Sequence, residues 1–499
     1  MAKAIRKAAV IGSGVMGATI AAHLANVGIS CFLLDIVPKK LTNNEEAKGL
    51  TLTDPAVRNR LAVEAIQKLS QISPSPLFDQ QFTTYITAGN IEDHLHLLKD
   101  VDWIIEVVIE NLQIKQSLLQ KIEQVWTEGT IVSTNTSGIS INGMAELTSE
   151  RFQRSFLGTH FFNPPRYMKL LEIIPGKYTD PAIVEQMSEF SERVLGKGVV
   201  VAKDTPNFIG NRIGVYGLAV TLKEMLANGY SVDEIDAVTG PALGRPKSAT
   251  FRTLDLVGID TFVHVADNVY RNVEDANEKA IFEIPAVLKN MVANGWLGEK
   301  SGQGFYKKVR TANGSEILSL DLSTMEYLPK QKIKSASLEA AKAAKGTANK
   351  VRALILGKDR QAKIAWDVTK QVLLYAAEKL GEIADTIPDI DKAMRWGFNW
   401  SLGPFELWDA IGLKASVEKM EAEDLTVPAW VKAWIEAGHE SFYHTDSAEN
   451  KKNVYIQGSL KEIEDRAEYL SLQALKDKKQ IIISNNGANL LDMGDGVAC

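Results

Sequence analysis

The chain has 499 residues, 45% of them hydrophobic and 24% charged, with a formal net charge of -6. A length of this size supports about three domains and a large core, and the acidic balance excludes a general nucleic-acid-binding field. Cys31, inside an apolar run, and Cys499, at the last position, form neither a disulfide framework nor a zinc-type spacing, so no metal site is expected and a reducing, cytoplasmic compartment fits.

Lys3, Arg6 and Lys7 precede an apolar run, but the run breaks at Gly12, too early for a secretory signal. No uncharged apolar stretch approaches the roughly 18 residues of a membrane span. Residues 8–11 read as a short buried strand, followed directly by Gly12-Ser13-Gly14-Val15-Met16-Gly17 and a small-residue helix over 18–27; a second strand, 30–34, ends at Asp35. A bare GxGxxG is common. With a strand before it, a helix after it and an acidic residue closing the next strand, it reads as a dinucleotide site. Gly12 permits the tight turn, Gly14 lets the backbone approach a pyrophosphate, and Gly17 allows close helix–strand packing. Asp35 would accept hydrogen bonds from a ribose and repel a 2'-phosphate, by ~4 kcal/mol at about 4 Å and an effective dielectric near 20. Lys39 and Lys40 offset part of that, and NAD is expected over NADP.

Residues 39–79 are polar and helical in pattern, with a loop at Ser73-Pro74-Ser75-Pro76. A strand over 101–109 carries Glu110-Asn111 to its carboxyl end, where a helix over 112–125 begins; a strand over 130–133 brings Asn135-Thr136-Ser137-Gly138 to the same edge. Open α/β sheets bind ligands along that edge, although Ser137 by itself reads as a turn or cap serine. Two β-like apolar runs then flank Pro164-Pro165, so that His160 and Glu172 face one another across neighbouring strands. An imidazole takes a proton near neutral pH, and a carboxylate beside it fixes the tautomer and stabilises the imidazolium. Such a pair alone is more often structural. After a helix over 181–195 and a strand over 198–202, Thr205 is expected as the N-cap and Pro206 as the first residue of a long apolar helix. Asn211 sits early on that helix, at a domain junction.

Together, the Gly12–Gly17 turn, Glu110-Asn111, Asn135-Thr136-Ser137, Gly158-Thr159-His160-Phe161-Phe162-Asn163-Pro164, Met168-Lys169-Leu170-Leu171-Glu172 and Lys203-Asp204-Thr205-Pro206 resemble the L-3-hydroxyacyl-CoA dehydrogenases of fatty acid β-oxidation. The resemblance runs through residue 305. It implies a doubly wound, Rossmann-type α/β NAD domain followed by two all-α domains of the C-terminal dehydrogenase type. It further implies that His160 removes the proton of a substrate 3-hydroxyl as hydride leaves C3 for the nicotinamide, with Glu172 orienting His160. Ser137 and Asn211 fall at the positions that polarise the reacting oxygen or the thioester carbonyl. Glu110, Lys115, Asn163 and Lys300 fall where the family contacts NAD, alongside Gly12, Gly14, Val15, Met16, Gly17 and Asp35. The implied partners are an acyl-CoA thioester and a thiolase, with no nucleic acid.

A helical pattern occurs twice. Glu234-Ile235-Asp236 and Phe251-Arg252-Thr253-Leu254-Asp255-Leu256-Val257-Gly258 return as Asp389-Ile390-Asp391 and Phe405-Glu406-Leu407-Trp408-Asp409-Ala410-Ile411-Gly412, a duplicated helical domain. The second copy, with Gly403-Pro404-Phe405, resembles the family motif better. The first has Arg245-Pro246-Lys247-Ser248-Ala249-Thr250 there, which leaves acyl-chain preference open. A second copy within one chain can replace a partner subunit, so a monomeric core is expected. The expected divisions are 1–203 for the NAD domain, 204–310 and 361–455 for the helical copies, and 311–360 for a linker carrying Lys330, Lys332, Lys334, Lys342, Lys345 and Lys350. A site for CoA phosphates is weighed there against a solvated helical face, and the helical face is favoured. In the tail, 456–499, strands over 479–484 and 488–494 and a turn at Asp495-Gly496 look like the opening of an enoyl-CoA hydratase domain that is otherwise missing, so mobility past residue 480 is expected. Two other readings stay open: a dehydrogenase of a free hydroxy acid, and an inactive NAD-binding scaffold.

Overall fold

Short apolar strands alternating with amphipathic helices wind the first part of the chain into one eight-stranded sheet. Its strands are β1 (Lys7–Ile11), β2 (Ser30–Asp35), β3 (Ile86–Asn90), β4 (Trp103–Glu106), β5 (Ile131–Thr134), β6 (Phe156–Phe161), β7 (Leu170–Pro175) and β8 (Gly198–Val201). The computed structural model describes residues 4–311, 314–446, 451–463, 472–477, 480–485 and 488–499. Strand order is β3-β2-β1-β4-β5-β6-β7-β8, with parallel neighbours except at β6–β7. The order reverses between β1 and β4, which opens a crevice at their carboxyl ends. Antiparallel pairing at β6–β7 needs no crossover helix, so the short Pro-Pro connection suffices.

Alternate residues of the strands share a face. Ala8 and Val10, Cys31 and Leu33, Trp103 and Ile105, Leu157 and Phe161, and Leu171 and Ile173 belong to one core with Ile20, Ala21 and Leu24 of the helix Val15–Asn26. On the other face the Ile141 side chain lies against Gly158 and Ile174; a Cβ on Gly158 would come within 2.9 Å of both. The strand expected over 101–109 is shorter because the Glu106 carboxylate turns back to accept from Val108 N (2.7 Å), ending the ladder.

The duplicated helical pattern is present as two sets of helices: Gly210–Asn228, Val232–Val238, Phe251–Val257 and Ile259–Asn272, then Arg360–Glu378, Ile387–Gly397, Pro404–Ile411 and Leu413–Ala422. In each set an aspartate caps a later helix. Asp236 accepts from the amides of Thr250, Phe251 and Arg252, and Asp391 from those of Phe405 and Glu406. Each set also turns between its last two helices on a left-handed glycine, Gly258 (φ 102°) and Gly412 (φ 108°). The sets pack on one another through the Tyr216 and Tyr375 rings, stacked at 3.7 Å and 3°.

Three expectations are corrected. The long helix begins at Gly210, not Pro206, because Asn207 (φ 61°) and Phe208 (φ 54°) are left-handed and cannot continue a helix backwards. Residues 311–360 are not a bare linker: β9 (Tyr306–Thr311), β10 (Gly314–Asp321) and β11 (Glu326–Pro329) form an antiparallel sheet, followed by the helices Ala336–Ala343 and Thr347–Ile355. The region after the eight-stranded sheet is therefore not all-α. Backbone contacts divide the chain into residues 1–440 and 441–499. The second unit holds two small antiparallel sheets, and the expected tail strands correspond to Ile481–Ser484 and Asn489–Gly494, with Lys479 and Gly487 outside the described residues. Among the described residues no helix is long and apolar enough to cross a membrane.

Candidate active site

β6 and β7 pair in a register that sets His160 opposite Glu172. Nδ1 of His160 lies 2.7 Å from Glu172 Oε2, with His160 5% exposed and Glu172 fully buried. The other oxygen of Glu172 accepts from the amides of Ile209 (3.1 Å) and Gly210 (2.7 Å), at the start of the long helix. Amide hydrogens and the helix dipole both favour a carboxylate there. A carboxylate only accepts, so the hydrogen of the His160–Glu172 bond sits on Nδ1 and the lone pair on Nε2. Among the described residues nothing bonds to Nε2. The imidazole is boxed by the rings of Phe162, 4.5 Å away, and Phe208, 5.8 Å away.

Ser137 arrives from the end of β5. Its backbone amide and its hydroxyl donate to Glu110 Oε1 at 2.6 and 2.8 Å, and Thr136 Oγ1 donates to the same carboxylate. Burial raises the Glu110 pKa, but Lys115 and these hydrogen bonds outweigh it, so the carboxyl lies below its usual range. Gly138 abuts Asn207, whose Oδ1 would sit 2.0 Å from a Cβ there. That close approach places Ser137 beside the helix entry that carries Asn211. Asn211 is half-buried, and no side-chain hydrogen bond holds its amide among the described residues.

The glycines behave as the turn requires. Gly12 has φ 107°, a Cβ on Gly17 would fall 1.8 Å from Gly12 O, and Gly14 faces open space. That opening lies at the N-terminus of the Val15–Asn26 helix, beside Val15, which is 69% exposed, and the half-buried Met16. Asp35 closes the turn by accepting from Ser13 N (2.6 Å) and Ser13 Oγ (2.5 Å). The crevice therefore fits a dinucleotide: free backbone amides for its phosphates, and a carboxylate for its ribose.

Three other residues expected at the cofactor are placed as follows. Lys115 is 1% exposed, and its ammonium holds Glu106 at 2.8 and 3.0 Å and Val108 O at 3.2 Å, with Glu110 at 3.4 Å. It is not an open cofactor contact, and it reaches the crevice only through Glu110. Lys300 pairs with Asp260 (2.7 Å), and none of its bonds among the described residues reaches the glycine turn or His160. Asn163 is exposed, ahead of a cis peptide bond to Pro164.

The residue list drawn from the sequence omits several contributors. Glu106, fully buried, anchors Lys115 and accepts from Thr134 Oγ1 (2.6 Å); a lone carboxylate among Ile104, Ile105, Val107 and Val108 was its signal. Asp204 accepts from Ile141 N, Asn142 N and Ser140 Oγ and so fixes the domain junction. Lys197 donates to the carbonyls of Pro165 and Met168, pinning the turn between β6 and β7, and burial pulls its pKa down to about 8. No cluster fit for a metal ion occurs among the described residues.

Comparison with known proteins follows the same division. The family described as "3-hydroxyacyl-CoA dehydrogenase, NAD binding domain" matches residues 7–205, and "3-hydroxyacyl-CoA dehydrogenase, C-terminal domain" matches 208–308 and again 368–441. A probable 3-hydroxyacyl-CoA dehydrogenase of Bacillus subtilis is 55% identical over 498 residues, all of this chain but 62% of that protein's length. Another, from Deinococcus radiodurans, is 49% identical over 306 residues, covering 61% of this chain and 84% of that protein. A crystal structure of 3-hydroxybutyryl-CoA dehydrogenase from Escherichia coli covers 88% of this chain and all of its own, with a TM-score of 0.63; at 23% identity the likeness is one of fold. The chain belongs to the 3-hydroxyacyl-CoA dehydrogenase family.

Proposed function

We propose that the chain interconverts L-3-hydroxyacyl-CoA and 3-oxoacyl-CoA with NAD as the redox partner, in fatty acid oxidation. The observation that carries this reading is the buried His160–Glu172 pair at 2.7 Å, with Glu172 fixed in turn by the start of the long helix. His160 Nε2 takes the proton of the 3-hydroxyl, and Glu172 stabilises the imidazolium that forms. When bound, NAD supplies the hydride acceptor for C3. Gly12, Gly14, Val15, Met16 and Gly17 hold its pyrophosphate, and Asp35 its ribose, which favours NAD over NADP.

Asn211 donates its free amide to the thioester carbonyl or the reacting oxygen. Ser137 already donates its hydrogen to Glu110, so its oxygen acts first as an acceptor, and it becomes a donor to substrate only by rotating away. Glu110, with Lys115 behind it, thus sets the orientation of Ser137. Asn163, exposed at the crevice side of the β6–β7 connection, and Lys300 are further cofactor contacts once the NAD and helical domains close on the ligand. The second helical copy takes the place of a partner subunit, which makes the dehydrogenase core a monomer.

The test is NADH consumption with a 3-oxoacyl-CoA and with the matching free 3-oxo acid. Turnover of the thioester alone supports the reading. Preference for the free acid would move the chain to the rival hydroxy-acid class, and NADH binding without turnover of either would favour the scaffold.

A further inference from the structure

Where corresponding loops of the two helical copies meet, Arg245 from the first lies over Trp400 of the second, with its guanidinium carbon 4.3 Å from the ring centroid. The two hold equivalent places in the repeat: each follows a left-handed residue, Gly244 (φ 69°) or Asn399 (φ 54°), and Ser401 N donates to Gly244 O at 2.7 Å. Beside them is a cavity of about 30 Å³, lined by Gly214, Gly217, Ala249 and Phe398 as well as by Arg245 and Trp400. Arg245 is half-buried overall, but its Nε and Nη2 are sealed from solvent and hydrogen bond to nothing among the described residues. No residue lining the cavity is acidic. The nearby hydroxyls donate elsewhere, Thr250 to Thr239 and Thr253 to the Ala249 carbonyl, and neither oxygen accepts from Arg245 Nε or Nη2.

A guanidinium held this way is costly. Stacking on an aromatic ring returns about 0.5–2 kcal/mol, which offsets only part of the cost of sealing Nε and Nη2 without an acceptor. Burial pulls the Arg245 pKa down to about 10, which still leaves it charged near neutral pH. Nε and Nη2 lack an acceptor, which a carboxylate or a water in the cavity would supply.

The cavity and the candidate active site share the long helix and a run of aromatic rings. Gly214 and Leu218 extend the face of the long helix that begins at Asn211, about 5 to 10 Å further along at 1.5 Å per residue. Phe398 contacts Phe162 at 6.4 Å, and Phe162 contacts His160 at 4.5 Å. An acyl group whose thioester is held at Asn211 and whose C3 is held at His160 would extend its far end in this direction. About 30 Å³ has room for a terminal carboxylate or a water, and little more. A planar carboxylate matches the guanidinium fork.

We propose that Arg245 is a specificity residue that binds a carboxylate at the far end of the acyl group, so that CoA thioesters of dicarboxylic 3-hydroxy acids are preferred substrates. This rests on the dehydrogenase reading above. The departure of Arg245-Pro246-Lys247 from the family motif then has a chemical purpose: one arm of the duplicated loop supplies the cation, and the other supplies the ring that holds it flat.

The experiment compares kcat/KM of the purified chain, by NADH oxidation, for pairs of 3-oxoacyl-CoA of equal length, one ending in methyl and one in carboxylate, from six to ten carbons. The proposal expects a preference of at least ~10-fold for the carboxylate at the best length, equivalent to about 1.4 kcal/mol. Arg245→Met should remove that preference while changing methyl-ended turnover less than about 3-fold, under half of one such contact in free energy. Equal or better turnover of the methyl-ended member at every length overturns the proposal and leaves the dehydrogenase reading standing. No turnover of either overturns both. If Arg245→Met does not fold, the wild-type comparison decides alone; if it folds and depresses both substrates equally, Arg245 is structural and the proposal fails.

Discussion

Glu172 is held at both oxygens, and the two holds have different consequences. Oε2 fixes the tautomer of His160, while Oε1 caps the helix of residues 210–228. Glu172→Gln should therefore lower turnover by about 10²- to 10⁴-fold, the range for a general base losing its support, with NADH affinity nearly unchanged. It should also lower stability by about 1.5–3 kcal/mol, through loss of hydrogen bonds to a charged group. Steady-state kinetics and urea unfolding check the two effects separately. The glycine turn gives a second contrast. Gly14→Ala meets only open space in the protein and should fold normally yet lose NADH affinity, whereas Gly17→Ala collides with Gly12 O at 1.8 Å and should lose both. Fluorescence titration and thermal unfolding of the two variants separate the cases. The His160–Glu172 pairing was legible because alternation in two adjacent apolar runs fixes which residues face each other. The tie to Ile209 and Gly210 was not, because it depends on where a distant chain segment enters the domain.

At the scale of elements, the polar stretch after residue 310 was the hardest to read. Along β10 only Ser319 and Leu320 are buried, so the strand carries almost no apolar alternation. In the helix Thr347–Ile355, Val351, Leu354 and Ile355 are buried in a spacing that does mark a helical face, but Lys350 and Arg352 interrupt it. The entry to the long helix was misplaced because Thr205-Pro206 is a sound cap signal, overridden by the tertiary capture of the next amides by Glu172. The first helix of the sheet domain also carries a pH effect. Burial first, and the Lys197 charge second, push the pKa of His23 down from 6.5 to about 4, with its Nε2–H given to Leu195 O. A depressed base contributes stability that is complete above the unfolded value of 6.5 and is lost as pH falls toward 4. Complete loss would amount to about 3 kcal/mol. Unfolding midpoints at pH 7.5 and 5 should differ less in His23→Gln than in the parent chain, and an unchanged difference would exclude His23 as the source.

Residues 1–440 are organised around the junction between the sheet domain and the two helical copies. The first copy provides the helix start that holds Glu172. The second sets Trp396 under Gly198 at the edge strand and accepts Lys203 at Gly381 and Asp385. Between the copies, Arg212, 1% exposed, binds Glu278, Glu382 and the Tyr375 hydroxyl, and Lys379 completes the cluster. Arg212→Met leaves Glu278 with Lys379 as its remaining cation, so the cost should be about 3 kcal/mol, the low end for breaking a buried ion pair. Denaturant unfolding measures it. Because the copies already cover one another, sedimentation velocity of the dehydrogenase core should give a monomer, and a tight dimer through the helical domains would contradict that. The duplication itself was legible from two short motifs. What they could not convey is that the second copy packs against the sheet domain as well as against the first.

The most direct test of the central claim is single-turnover hydride transfer from NADH to a 3-oxoacyl-CoA in the parent chain and in His160→Gln, with NADH affinity measured alongside. The account predicts transfer in the parent chain, a fall of about 10²- to 10⁴-fold or more in the variant, and equal NADH affinity in both. Equal transfer rates would contradict it, since His160 could not then be the group that moves the proton.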